Sequence, residues 1–367
     1  MDTSFLKKSL VCRKVEAFDL DRERVKHYVP RAGDVAIFRV IELGKILRIQ
    51  DANGHRAHVF PGDYLMAAFG DRYATNQVEA YVPDFTSLDL HLAGAGGVVG
   101  EVHSQNARLK DIEPTRLRLV GYATQNGEVI NTNFLGMPRH KFTGNFGPKK
   151  PEIILSLGSS MDSGKTTIAG GLGRGLMLSG KNIAYMKLTG TAFTKDCDFV
   201  RDCGASLTTD FSEAGFTSTY MCSHEEIMDI YQTLMQEVIL KQSFDYLIIE
   251  VADGLFQREN KVLFRDPAFK RTIDHVIFSG GDSLSALYGM HLLKELDLGP
   301  FALSGKFTMS PLLIREVKEI TNLPVLTLDE LMESDVIRYL SDTAQKMDYF
   351  STQKPTPNAH KASETAA

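Results

Sequence analysis

The stretch LSLGSSMDSGKTTIAGGL, residues 155–172, decides how the rest of the chain reads. An apolar run, EIILSL, leads into it, and Ile168, Leu172 and Leu176 follow at helical spacing. A Gly/Ser turn between a strand and a helix points backbone N–H groups into a concavity, and the helix N-terminus behind it favours negative charge. Lys165 is placed to reach β- and γ-phosphates, and the Thr166 hydroxyl to meet Mg²⁺. Gly158, Ser159, Asp162, Ser163, Gly164, Lys165, Thr166 and Thr167 are therefore the expected nucleotide-binding residues. The usual loop has four residues between its glycines. Here five, Ser159 to Ser163, separate Gly158 from Gly164.

Downstream of the loop, the apolar runs NIAYMK, YLIIEV, HVIFS, FALS and PVLTL alternate with longer segments. The clearest helical segment is 224–242, where Ile227, Ile230, Leu234 and Val238 recur at three and four. Continuous apolar strands alternating with helices predict an α/β domain, a parallel sheet covered by helices on both faces, over 152–350. The tail 351–367, STQKPTPNAHKASETAA, has a disordered composition.

Upstream, the pattern changes. GDVAIFRVIEL is β-rich, and Asn53-Gly54 and Asn126-Gly127 each sit between alternating stretches, which predicts hairpins. No helical period of useful length intervenes, so residues 1–135 are expected to form a small all-β, barrel-like domain. AGAGGVVG, residues 93–100, lacks the strand–helix context of a dinucleotide loop and reads as a tight turn. Residues 136–151, GMPRHKFTGNFGPKKP, have a linker composition.

The 367 residues suggest about two domains at roughly 150 residues each. A net charge of −5 gives no electrostatic footprint for nucleic acid or anionic membrane. No apolar stretch nears the roughly 20 residues that span a bilayer, and the first residues lack a signal core. The expected location is cytoplasmic, with neither nucleic acid nor membrane as partner. Cys12, Cys197, Cys203 and Cys222 are too scattered for a disulfide framework. C-x5-C followed by C-x-H at Cys197, Cys203, Cys222 and His224 is not a standard zinc spacing, so buried thiols are the expectation.

The five-residue loop spacing resembles the dethiobiotin synthetase-like subclass of SIMIBI P-loop NTPases. GKNIAYMKLTGT (180–191) resembles that family's strand ending in a lysine that faces substrate and γ-phosphate, which gives the role to Lys187; Leu188 stands where the family has proline. YLIIEVADGLF (246–256) resembles the strand ending Glu-Gly-Ala-Gly-Gly, with Val251 and Asp253 replacing two of the small residues. Glu250 would then be an acidic Mg²⁺ partner. FALSGKFT (301–308) lies where the family contacts the base. The family also has an aspartate after the lysine strand that completes the metal site. TKDCDFVRDCGASLTTDF (194–211) offers Asp196, Asp198, Asp202 and Asp210, of which Asp196 ranks first and Asp202 second. The metal set is thus Thr166, Glu250, Asp196 and Asp202, an oxygen set that suits Mg²⁺.

The resemblance spans roughly residues 152–330 and implies an enzyme. Mg²⁺ and ATP, with GTP as the other candidate, would serve kinase- or ligase-like phosphoryl transfer to a small-molecule acceptor, expected to be a carboxylate. Lys165 and Lys187 would be the catalytic residues, and Ser218-Thr219-Tyr220 would contact the acceptor. A regulatory or chaperone-like NTPase acting on a protein partner is the alternative, and a homodimer stays open. Ser160 stands where MinD-type switches carry a lysine, and no guanine-reading N/T-K-x-D element follows the fifth strand; both favour the enzyme.

Overall fold

The computed structural model describes residues 6–341; the tail 351–367 lies outside them. In the N-terminal half, five strands close on themselves: β1 (Val35–Glu42), β2 (Tyr64–Phe69), β3 (Asp89–Gly94), β4 (Val98–Gln105) and β5 (Arg116–Gln125). Their circular order is β2-β1-β5-β3-β4 and back to β2, where Val98 and Val99 pair with Ala68 and Phe69 in parallel. Closure leaves these strands no free edge.

The turn chemistry is local. Asn126 and Gly127 both adopt positive φ, 54° and 81°, as a two-residue hairpin of the primed type requires. Gly54, φ 85°, turns the Arg48–Gln50/Arg56–His58 hairpin. The glycine-rich 93–100 stretch joins β3 to β4. A Cβ on Gly96 would stand 2.0 Å from the Ala192 carbonyl oxygen, so its glycines let the barrel approach the neighbouring half.

That half is a six-stranded parallel sheet: β6 (Glu152–Gly158), β7 (Ile183–Lys187), β8 (Leu207–Asp210), β9 (Tyr246–Glu250), β10 (His275–Ser279) and β11 (Ala302–Ser304), in the order β8-β7-β9-β6-β10-β11. The connecting helices include α1 (Lys165–Leu178), α2 (Lys195–Asp202), α3 (His224–Lys241), α4 (Arg258–Leu263), α5 (Ser283–Glu295) and α6 (Pro311–Ile320). Alternate strand residues serve opposite faces. Ile154, Tyr185 and Ile248 pack with Ile168 and Leu172 of α1, whereas Leu155, Met186 and Ile249 pack with Ile230 and Leu234 of α3. Ser223 and Glu226 form a capping box that starts α3 where the sequence places it. PVLTL makes only a single bridge, Leu303 to Val325, and is no strand. Pro324 has no N–H to donate to a ladder, and Thr327 already caps the next helix.

The two halves share one core. Along β1, Ala36, Phe38 and Val40 face the barrel interior, while Val35 and Ile37 join the cluster that holds Leu155, Leu157, Met186 and Phe211. Met66 and Ala68 of β2 do the same. Residues 136–151 run along α3: the backbone N–H groups of Phe142 and Thr143 donate to Asp229 and Gln232 at 2.9 and 3.0 Å, and the Phe142 and Phe146 rings pack on Tyr231. Among the described residues no helix is long and apolar enough to cross a membrane.

This shared core generates a prediction. Ile37→Ala removes a fully buried side chain between the halves, and truncations of this kind cost about 2–5 kcal/mol. Calorimetry should show one heat-absorption peak for wild type and one, at lower temperature, for the variant. Two separable peaks would show that barrel and sheet melt as independent bodies.

Candidate functional site

The site forms at the C-terminal ends of β6, β7 and β9. Gly158 ends β6, and α1 begins at Lys165 with Gly164, φ 104°, as its N-cap. A Cβ on Gly158 would come within 2.3 Å of Ser163 Oγ and 2.6 Å of Lys165 Cγ, so only glycine lets the loop fold this tightly. Asp162 also has positive φ, 62°, a conformation costing a non-glycine residue roughly 1–2 kcal/mol. Its carboxylate accepts from Asn76 Nδ2 of the barrel at 2.6 Å. Ser163 Oγ is buried and has no hydrogen-bond partner among the described residues. An unsatisfied hydroxyl inside a glycine-shaped cradle, backed by a helix N-terminus, fits a phosphate group.

Lys165 donates to the Ser160 carbonyl at 2.7 Å. Burial is the main reason its pKa falls, to about 8, with Glu250 acting in the opposite sense. Loss of solvation favours the neutral amine, and an approaching anion would restore the charge.

Glu250, 1% exposed, is the hub of the site. Its Oε1 accepts from Thr166 Oγ1 at 2.9 Å and Lys187 Nζ at 2.5 Å; its Oε2 accepts from Tyr185 OH at 2.8 Å. Lys187 also donates to Asp196 at 2.6 Å. Burial opposes the charge on Lys187, but Glu250 and Asp196 outweigh it and hold the pKa above the ordinary lysine value. For Asp196, burial is likewise outweighed by Lys187, and the pKa is lowered.

The structure therefore brings Thr166, Lys187, Asp196 and Glu250 together. Thr166, Glu250 and Asp196 supply hard oxygens of the kind that hold Mg²⁺ beside phosphates and waters, and their residues fit the ion. It does not bring Asp202 there. Asp202 is exposed at the far end of α2, and six residues of helix carry it about 9 Å along the axis from Asp196. Asp198 is engaged by Thr194 and Arg201, while Asp210 is buried and its pKa is raised by that burial. Ser159 N–H and Thr167 stay with the loop: Ser159 N–H donates to the Ser279 carbonyl at 2.9 Å, and Thr167 lies in the first turn of α1. The loop after β11 also touches it, Lys306 N–H donating to the Ser163 carbonyl at 3.0 Å. The cysteines are free, and among the described residues no group of three or more His, Cys, Asp or Glu could hold a metal. His224 pairs with Asp266 instead.

A cleft of about 340 Å³ extends from the loop to the barrel, reaching Lys165, Lys187, Gly190, Asp253, Arg72 and Tyr73. Arg72 and Tyr73 have no sequence signal, since nothing in the two-residue strand Arg72–Tyr73, which pairs with Glu79 and Ala80 outside the five-strand ring, marks it as facing the 158–167 loop. Arg72 is held by the Ala93 carbonyl and by Gln77, its Nε has no partner among the described residues, and burial lowers its pKa to about 10. Ser218-Thr219-Tyr220 lies beside this cleft rather than in it. Thr219 exchanges hydrogen bonds with Gly190 at 2.8 and 2.9 Å, and Tyr220 joins Tyr81 and Glu79 of the barrel.

No family model matches the chain, and no curated protein matches it. Similar solved structures include the signal recognition particle receptor FtsY from Elizabethkingia anophelis, at 19% identity over 53% of this chain and 56% of that one, with a TM-score of 0.31. The signal recognition particle 54 kDa protein from Aeropyrum pernix K1, in complex with GDP, is similar at 18% identity over 54% and 48%, with a TM-score of 0.33. Chloroplast FtsY from Physcomitrella patens gives 14% over 54% and 67%, with a TM-score of 0.36. The chain spans about half the length of the first two. These proteins belong to the SIMIBI P-loop NTPases.

Glu250→Gln should leave nucleotide binding largely intact, because the phosphate cradle is built from the loop. Turnover should fall about 10- to 100-fold, the scale of a lost charged hydrogen bond, and lose its dependence on Mg²⁺ concentration. Mg²⁺ titrations of turnover that superimpose on wild type would place the metal partner elsewhere.

Proposed function

We propose that the chain is a Mg²⁺- and nucleoside triphosphate-dependent P-loop enzyme of the dethiobiotin synthetase-like kind, transferring a phosphoryl group to a small acceptor. The observation that carries the reading is the cleft: its floor holds Lys165 and Lys187, and its far wall comes from the barrel. A space of about 340 Å³ suits a small molecule. Catalysis of this type is mostly positioning and charge stabilisation. Lys165 would hold the β/γ-phosphates, and Lys187 would face the group in transfer. Thr166, Glu250 and Asp196 would hold Mg²⁺, whose charge would offset that on the phosphate oxygens.

One observation favours the second reading, a regulatory NTPase that binds a protein partner or another copy of the chain. The loop 280–281 before α5 touches the phosphate loop, Gly281 N–H meeting Ser159 Oγ at 3.2 Å. Beyond it Leu284, Tyr288, Met309 and Leu312 are 76%, 53%, 82% and 61% exposed. Apolar side chains in water beside a nucleotide site suit a docking surface.

The two readings differ at Lys187. ATP and GTP turnover should be measured across a panel of cellular metabolites and then across protein fractions of a lysate. The enzyme reading expects a metabolite to be consumed. It expects Lys187→Met to lower that transfer about 100-fold or more, as loss of a transition-state charge partner does, with nucleotide affinity little changed. Stimulation by a protein fraction alone, with no metabolite consumed, would favour the regulatory reading.

A further inference from the structure

Asp253 stands out in the cleft wall. It follows β9 by three residues and adopts φ 59°, in the left-handed region that glycine occupies freely. Its place in EVADG corresponds to a glycine in the motif that the stretch resembles. An aspartate there carries backbone strain that a glycine would not, and such strain persists where the surroundings fix it. The fixing contact is visible: a Cβ on Gly254 would stand 2.3 Å from the Ser159 carbonyl, so the segment is pressed against the phosphate loop. Asp253 lines the main cleft together with Lys165, Lys187, Gly190, Arg72 and Tyr73. It also lines the smaller hollow that leads to Thr219 and Tyr220. Among the described residues its carboxylate forms neither a hydrogen bond nor an ion pair within 4.0 Å.

We infer that Asp253 is the general base of the transfer, and that the acceptor is a small molecule presenting a hydroxyl or amine to it across from the phosphate loop. This rests on the phosphoryl-transfer reading of the site. A carboxylate acceptor, as the resemblance implies, is already anionic and needs no base; a protic acceptor does. In the step, the acceptor oxygen or nitrogen forms a bond to the γ-phosphorus. The bond from that phosphorus to the bridging oxygen breaks, and the nucleoside diphosphate leaves. The acceptor proton passes to Asp253 and then to solvent. The groups facing the carboxylate are Lys165 from α1, Lys187 from β7, Arg72 and Tyr73 from the barrel, and Glu259 from α4. Burial raises the pKa of Asp253 to about 6 against the pull of the three cations. A base is most effective with a pKa near the working pH.

Water has access to the same carboxylate, so phosphate release from Mg-ATP and Mg-GTP is the assay. Binding of a fluorescent nucleotide analogue and the melting temperature are read in parallel. Asp253→Asn is expected to release phosphate at least about 100-fold more slowly, the lower end of general-base contributions, with analogue affinity within about two-fold of wild type. Asp253→Gly removes the backbone strain, so its melting temperature should not fall while activity is lost equally; a structural role would not give that split. Asp253→Glu should recover part of the rate. Wild-type rates in both the Asn and Gly variants would overturn the inference and leave the loop assignment standing. Analogue binding by wild type without measurable phosphate release would also count against a base here. Failure of wild type to bind the analogue would instead remove the reading of the site itself.

Discussion

The site depends on one carboxylate taken out of water. Glu250 is buried at the end of β9, and its two oxygens receive Thr166 from α1, Tyr185 and Lys187 from β7. A buried charge without partners is strongly unfavourable. The three donors therefore fix where the loop, the lysine strand and the central strand end relative to each other. Tyr185 contributes from within the sheet, fully buried, its pKa raised by burial and by Glu250. The geometry that could receive phosphates and Mg²⁺ is thus set by the need to satisfy Glu250.

A second constraint shapes the cleft. The barrel is not tethered beside the sheet but shares its core, because β1 and β2 bury both faces. Close approach is made by small residues and paired polar groups. Gly94 and Gly96 admit the 191–192 backbone and side chains, and Gln50 bonds Thr194 in both directions, at 2.6 and 3.0 Å. This docking puts Arg72 and Tyr73 over the phosphate loop.

Much of this was legible in the sequence, for identifiable reasons. The loop is readable from its context, an apolar strand ending at Gly158 and a helix opening at Lys165, and two further strands end at Lys187 and Glu250. The Asn-Gly turns are local chemistry. Strand β8, LTTD, was illegible because an edge strand of polar residues has no apolar signature. PVLTL misled because an apolar run can pack on a sheet edge through one bridge, Leu303 to Val325, without extending into a strand. Asp196 could be ranked above Asp202 only by nearness to Lys187, and the two turns of α2 separate them. Arg72 carries no local signal at all, since its place in the cleft wall arises from docking. The near-continuous apolar run of β1 was a readable hint of that docking, because a strand buried on one face alternates. Asp253 was visible as a departure from a glycine, but its significance needed the backbone angle.

The central claim is that the 158–167 loop receives the terminal phosphates of a nucleotide. The most direct test is equilibrium binding of nucleoside triphosphate against the matching monophosphate, in Mg²⁺, to the full chain. Charged hydrogen bonds to the added phosphates are worth ~1.5–3 kcal/mol each, so the triphosphate should bind at least about 100-fold more tightly. Equal affinity for the two would contradict the account.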